Sequence, residues 1–393
     1  MLKIPIYLDN HATTRVDPRV VAAMTPYWTE IYGNAGSTTH AFGWEARDAV
    51  RAARERIASS IGARASEIVF TSGATESDNS AIFGIAERLK RRGDHILSVR
   101  TEHKAVLDPL RILAGRGFDV TLLEVEPADS PRAGFLDPQR VADALRDDTC
   151  LVSVMAANNE IGVLHDIAAV AAICRARRAV ALRRDAGDRS NSLRRRRAGS
   201  RYGEFLRPQD LWPEGNRRVV RPPARRRRPF NAAPIRRRPR TRVPQRHGRR
   251  AGHRWLRDGA RVGARRTPDR RSASAALRDR LFAGLQERVA GMRLNGPALE
   301  PPDLRLPNNL NVTFDGVHGE SLIMAMRDVA VSSGSACTSA NPEPSHVLKV
   351  LGLNEDLVRA SLRFGLGRFT TAEEIDFAID TTARAVAELR ALG

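Results

Sequence analysis

Ile68-Val69-Phe70-Thr71-Ser72-Gly73-Ala74-Thr75-Glu76-Ser77-Asp78-Asn79 runs from an apolar triplet through a Gly/Ser/Thr turn into a helical pattern that lasts to Leu89. A strand feeding a turn at a helix N-terminus leaves backbone N–H groups unpaired at the positive end of the helix dipole. A phosphate satisfies both. An ordinary N-cap uses the same residue types, so the stretch alone admits either reading. It is not a Gly-x-Gly-x-x-Gly fingerprint, which argues against a dinucleotide.

Outward from this stretch, strand and helix patterns keep alternating, through His95–Val99, Val120–Val125 and Cys150–Met155. That order predicts a parallel sheet covered by helices. Two of the strands end in polar clusters, Thr101-Glu102-His103-Lys104 and Asn158-Asn159-Glu160. Ligands of open α/β sheets sit at such strand ends. Upstream, Ile6-Tyr7-Leu8 reads as a short strand entering a polar turn, after which Asp17 caps a helix with Pro18 at its first position. Asn10 and His11 read as turn residues, and Tyr32–His40 as a connector before an amphipathic helix from about Trp44 to Ile61. Downstream, the pattern gives a helix over Ala276–Val289, a strand over Asn309–Phe314, a helix over Gly319–Asp328 and a last helix over Ala372–Leu392.

Between these lies Val331–Ala340, where Cys337 stands among Gly, Ser and Ala. A thiol reacts as thiolate, and a supple polar loop can deliver one to a substrate held elsewhere. A buried cysteine acting as a small hydrophobe is the competing reading. Only three cysteines, Cys150, Cys174 and Cys337, occur in 393 residues. They form neither a disulfide framework nor a metal cluster, and a reducing compartment is expected. With no basic-then-apolar leader and no apolar run of membrane-spanning length, a soluble cytoplasmic protein is expected.

The net charge of +20 is local: Ala181–Arg271 holds 31 arginines against seven acidic residues, and the rest of the chain is slightly acidic. The four lysines, Lys3, Lys90, Lys104 and Lys349, all lie outside that tract. A basic arm that grips nucleic acid ordinarily mixes lysine with arginine and interleaves aromatic residues, which here are sparse.

Together, Leu8–Thr14, Tyr32–His40, Thr71–Asn79, Thr101–Asp108, Asn158–Gly162, Val331–Ala340 and Leu362–Thr370 resemble the pyridoxal-phosphate-dependent cysteine desulfurases of the iron-sulfur assembly type. The resemblance covers roughly residues 1–178 and 275–393. It implies an α/β, fold-type-I aminotransferase-like homodimer, with a mainly parallel large domain and a smaller α+β C-terminal domain. Residues 1–15 would join the small domain, 16–180 would begin the large one, 181–272 would be an aberrant tract that does not pack, and 273–393 would form the small domain. The resemblance further implies Ala74 and Thr75 at the cofactor phosphate, His103 stacked on the pyridine ring as a catalytic group, and Asn159 near the ring oxygen. Asn34 and Arg363 would bind L-cysteine, and Cys337 would take its sulfur as a persulfide for an iron-sulfur scaffold or a tRNA-thiolating acceptor. An arginine fork suits a carboxylate, and an imidazole face suits an aromatic ring.

The family's central segment, with the aspartate at the pyridine nitrogen and the lysine that forms the Schiff base, is not recognisable. Gly203–Gly215 can be encoded so that a one-base shift reads Ala-Ser-Phe-Ser-Ala-His-Lys-Ile-Tyr-Gly-Pro-Lys-Gly, the family's lysine motif. The same shift turns Arg238–His247 into Gly-His-Glu-Arg-Gly-Phe-Arg-Ser-Gly-Thr, another family segment. GC-rich codons read out of frame also become arginine codons. The tract therefore reads as the same gene in a displaced frame. Two alternatives stand beside an enzyme: a catalytically dead scaffold or binding homologue, and a nucleic-acid-binding protein built on the arginine tract.

Overall fold

The protein, a computed structural model, is described over residues 2–176, 180–184, 202–205, 217–220, 267–333 and 343–392, with the backbone alone described at 180–184, 202–205, 217–220 and 267–269. Its large sheet has seven strands: β2 (Ile68–Thr71), β3 (His95–Val99), β4 (Asp119–Leu123), β5 (Thr149–Met155), β6 (Val180–Arg184), β7 (Tyr202–Phe205) and β8 (Arg217–Val220). Their order is β2-β8-β7-β6-β5-β3-β4. All neighbours are parallel except β8, which runs against both β2 and β7.

β3 and β5 are buried at every position, as strands of a parallel sheet covered on both faces must be. Alternate side chains of β3 serve opposite layers. Ile96 joins Ile82 and Ile85 of helix Ala74–Leu89 and Val106 and Leu110 of helix Lys104–Ala114. Leu97 and Val99 join Val141 and Val170 on the other face. Each such buried side chain contributes about 2 kcal/mol.

A second sheet, in the order β12-β13-β10-β9, is antiparallel and comprises β9 (Met292–Leu294), β10 (Asn309–Phe314), β12 (Ser332–Ser333) and β13 (Ser361–Gly365). Leu310, Val312, Phe364 and Leu362 pack there against Leu281 and Leu285 of helix Thr267–Arg288 and Ile375 and Ile379 of helix Ala372–Leu392. The N-terminal β1 (Ile6–Tyr7) pairs in parallel with β11 (Val329–Ala330), and Ile6 and Leu8 are buried in this second core.

The tract expected not to pack nevertheless carries β6, β7 and β8, which fill the sheet between β5 and β2. Backbone pairing explains this, because a slot between two existing strands offers ladder hydrogen bonds to a chain of any side-chain composition. The remainder of the tract lies outside the described residues. Helix Thr267–Arg288 begins nine residues before the expected Ala276, and helix Gly319–Ala325 ends three before the expected Asp328. Asp17 caps helix Pro18–Met24 as the sequence indicates, accepting from the Arg19 N–H at 2.9 Å.

The two cores meet at a tight joint. Gly162 has φ 75°, and a Cβ there would lie 2.5 Å from Asn309 Oδ1. Asn309 and Asn311, both on β10, donate to the Glu160 carbonyl at 3.2 and 3.1 Å, so the end of β5 is sewn to the second sheet.

Candidate active site

Because β2, β3 and β5 run the same way, their C-terminal ends share one edge of the sheet. At the end of β2, Gly73 is the N-cap of helix Ala74–Leu89 with no side-chain cap hydrogen bond, and nothing lies within 4 Å of where its Cβ would be. Ala74 is buried, Thr75 is exposed, and the Thr71 and Ser77 hydroxyls meet at 2.6 Å beneath them. N–H groups without a side-chain cap at a helix start can take an anion, although the Glu76 carboxylate already accepts from the Ser72 N–H and hydroxyl at 2.6 Å in this turn. This place fits the phosphate of a cofactor.

At the end of β3, His103 caps helix Lys104–Ala114, its Nδ1 accepting from the Ala105 N–H at 3.0 Å. That bond fixes the ring and marks Nδ1 as an acceptor. The ends of β3 and β5 are tied by Asn158, whose Nδ2 donates to the Thr101 carbonyl at 3.0 Å. Asn159 follows, half-buried.

Arg363 reaches this edge from β13 and is 1% exposed. Its Nη1 donates to the Asn159 carbonyl at 3.3 Å, its Nη2 to Asp9 Oδ1 at 3.0 Å, and its Nε, although buried, has no partner. An unpaired donor on a buried guanidinium is costly, and a ligand carboxylate resolves it.

Arg363 and Asn159 are thus brought together, with His103 one strand away. Ala74 and Thr75 lie along the same edge beyond β6, β7 and β8. Asn34 is exposed and spends its Oδ1 on its own turn, accepting from the Gly36 N–H at 2.8 Å. Cys337 and the lysine-motif stretch 206–215 lie outside the described residues.

Several neighbours escaped the sequence reading. Asp9 is the ion-pair partner of Arg363. His11 places Nε2 3.2 Å from the Asn308 carbonyl, and burial together with the Arg363 charge lowers its pKa to about 3, so the ring is neutral. Glu160, 9% exposed, is raised to about 7, chiefly by burial, against the lowering effects of the Ser345 hydroxyl, Arg363 and Lys104. Ser345 Oγ donates to Glu160 Oε2, Lys104 Nζ pairs with Glu343 at 2.7 Å, and His346 Nε2 lies 2.9 Å from the Glu102 carbonyl. These contacts fasten residues 343–346 to the same strand ends. Glu160 lies within the Asn158–Gly162 stretch, but nothing local to it signals burial.

The family model described as Aminotransferase class-V matches residues 6–187 and 265–377, leaving the arginine-rich stretch between them unmatched. A relative from Anaeromyxobacter sp. (strain K), named cysteine desulfurase IscS, is 47% identical over 404 residues, covering 99% of this chain and 94% of its own length. Among solved structures, a NifS-like protein superposes with a TM-score of 0.79 at 27% identity, covering 98% of this chain and 100% of its own. SspA in complex with cysteine gives 0.70 at 26% identity, covering 93% and 100%.

Proposed function

Because the chain belongs to the class-V aminotransferases and, within them, to the IscS-type cysteine desulfurases, we propose that its described site seats L-cysteine by the carboxylate and surrenders the sulfur to Cys337. The observation that carries this reading is the buried, partnerless Nε of Arg363 beside Asn159 and Asp9. Pyridoxal phosphate, when bound, supplies the electron sink that lets the substrate's carbon–sulfur bond weaken.

The chain's own residues divide the rest of the work. The start of helix Ala74–Leu89, at Ala74 and Thr75, holds the cofactor phosphate. His103, its ring fixed through Nδ1, would pack on the cofactor's aromatic ring, and Asn159 would hold its polar edge. Arg363 holds the substrate carboxylate with two N–H groups, and Asn34 completes the substrate contacts. The Cys337 thiolate attacks the substrate sulfur, which becomes the terminal sulfur of a persulfide while alanine leaves, and an iron-sulfur scaffold or another sulfur acceptor then receives it.

In this chain no lysine occurs between Lys104 and Lys349, so the group that anchors the cofactor covalently is missing. We attribute that to a displaced reading frame through the arginine tract, a reading supported by the unmatched stretch between two in-register family segments. The chain itself is then inactive, and the protein restored to frame is the enzyme. A catalytically dead scaffold is the second reading, favoured by the same missing lysine.

Homodimer formation is supported by exposed Tyr27, Trp28, Tyr32, Phe42 and Trp44, with the Tyr32 and Phe42 rings 5.7 Å apart. A patch of this kind on a folded chain calls for a partner surface. No described helix is long and apolar enough to cross a membrane, and a cytoplasmic site of action is part of this reading.

The test is replacement of Cys337 by serine in the frame-restored protein. Cofactor loading should persist while sulfide release from L-cysteine is lost. Unchanged sulfide release would contradict the assignment of Cys337.

A further inference from the structure

Arg363 is already part-neutralised before any substrate arrives. Its Nη2 is committed to Asp9 Oδ1 at 3.0 Å and its Nη1 to a carbonyl, while its buried Nε has no partner. The Asp9 side chain is 17% exposed and keeps its carboxylate within 3.0 Å of the guanidinium, so its charge acts on whatever ligand Arg363 holds. The other titratable neighbours add no cation. His11 is held neutral, Glu160 is an acid buried beside Arg363, and Lys104 is paired with Glu343. The one permanent positive charge of the seat is therefore balanced, and a single ligand carboxylate already brings the group to net negative charge.

We propose that Asp9 is the residue that sets the charge selectivity of the substrate seat, admitting an amino acid with one carboxylate and a neutral side chain and turning away one that carries a second anionic group. The inference rests on Arg363 as the carboxylate holder. Asp9 acts through Arg363 and through the field of its carboxylate, so it is a positioning and selecting residue and not a reacting one. At an effective dielectric of about 20, a unit charge anywhere within about 10 Å changes binding by roughly tenfold or more.

The test is calorimetric titration of the full chain, with excess pyridoxal phosphate, against L-alanine and L-aspartate. The unaltered chain should bind alanine at least about tenfold more tightly than aspartate. Asp9→Asn should shrink that ratio to below about threefold, and Asp9→Glu, which keeps the charge, should restore it. The turn itself does not depend on this carboxylate, because the Asp9 backbone carbonyl takes the Ala12 N–H at 3.0 Å. A ratio unchanged in Asp9→Asn, or lost equally in Asp9→Glu, overturns the selectivity role. Arg363→Gln separates the two ideas. Loss of alanine binding there upholds the carboxylate seat whatever the Asp9 variants do, while retained binding removes the seat and this inference with it. Failure of the unaltered chain to bind alanine has the same consequence.

Discussion

Replacing Glu160 with glutamine should make the protein more stable at alkaline pH and leave it nearly unchanged under acid conditions. Burial raises the Glu160 carboxyl from 4.5 to about 7. A carboxyl whose folded pKa exceeds its unfolded one binds the proton more tightly when folded. Its favourable contribution is therefore complete below about 4.5 and is lost as pH rises through about 7. At about 1.4 kcal/mol for each tenfold change in proton affinity, ionising it in place costs roughly 3 kcal/mol by pH 8. Glutamine keeps an oxygen to accept the Ser345 hydroxyl and carries no charge. Urea denaturation of the parent and Glu160→Gln proteins, at steps from pH 5 to pH 8, should show a difference under about 1 kcal/mol at the acid end that grows to roughly 3 kcal/mol at the alkaline end. His11 and His165, held at about 3 and about 4, lose stability in the opposite direction as pH falls, but they are common to both proteins and cancel in the difference. A difference that stays flat across the range, or one in which glutamine is the less stable at pH 8, would refute the reasoning.

Two further expectations follow from the same geometry. Cys150 and Cys174 are buried, with thiols pushed up to about 11 and about 12 by burial, so both should resist a thiol reagent at pH 8 in the folded chain and react in denaturant; labelling of either in the native state, mapped by peptide mass, would count against it. Gly162→Ala forces a Cβ onto Asn309 at a positive φ and should cost about 2 kcal/mol or more in a denaturation experiment, with neutrality arguing against the tight joint between the two cores.

The strand, turn and helix from Ile68 to Leu89 were legible because period and punctuation are local properties: three apolar residues, a glycine, then a helical stripe. Asp17 and Pro18 were legible for the same reason, since a cap is written in adjacent residues. The Asp9–Arg363 pair was not, because it joins positions 354 apart through β1 entering the second core, and no local pattern encodes that meeting. Glu160 belongs to the Asn158–Gly162 stretch, yet its raised pKa arises from burial that only the folded chain creates, and the Ser345 hydroxyl and Arg363 oppose it. His103 was singled out for its ring, while its capping bond to Ala105 appears only once the helix start is placed. The strands β6 to β8 ran against a compositional expectation because side-chain statistics are silent about an open slot between two existing strands.

The most direct test is quantitation of alanine and sulfide formed from L-cysteine by two proteins, this chain and its frame-restored counterpart bearing the Ser-Ala-His-Lys segment. The account predicts equal amounts of the two products from the restored protein in the presence of a thiol, and neither from this chain. Turnover by this chain at a comparable rate, or a restored protein that carries pyridoxal phosphate and leaves cysteine intact, would contradict it.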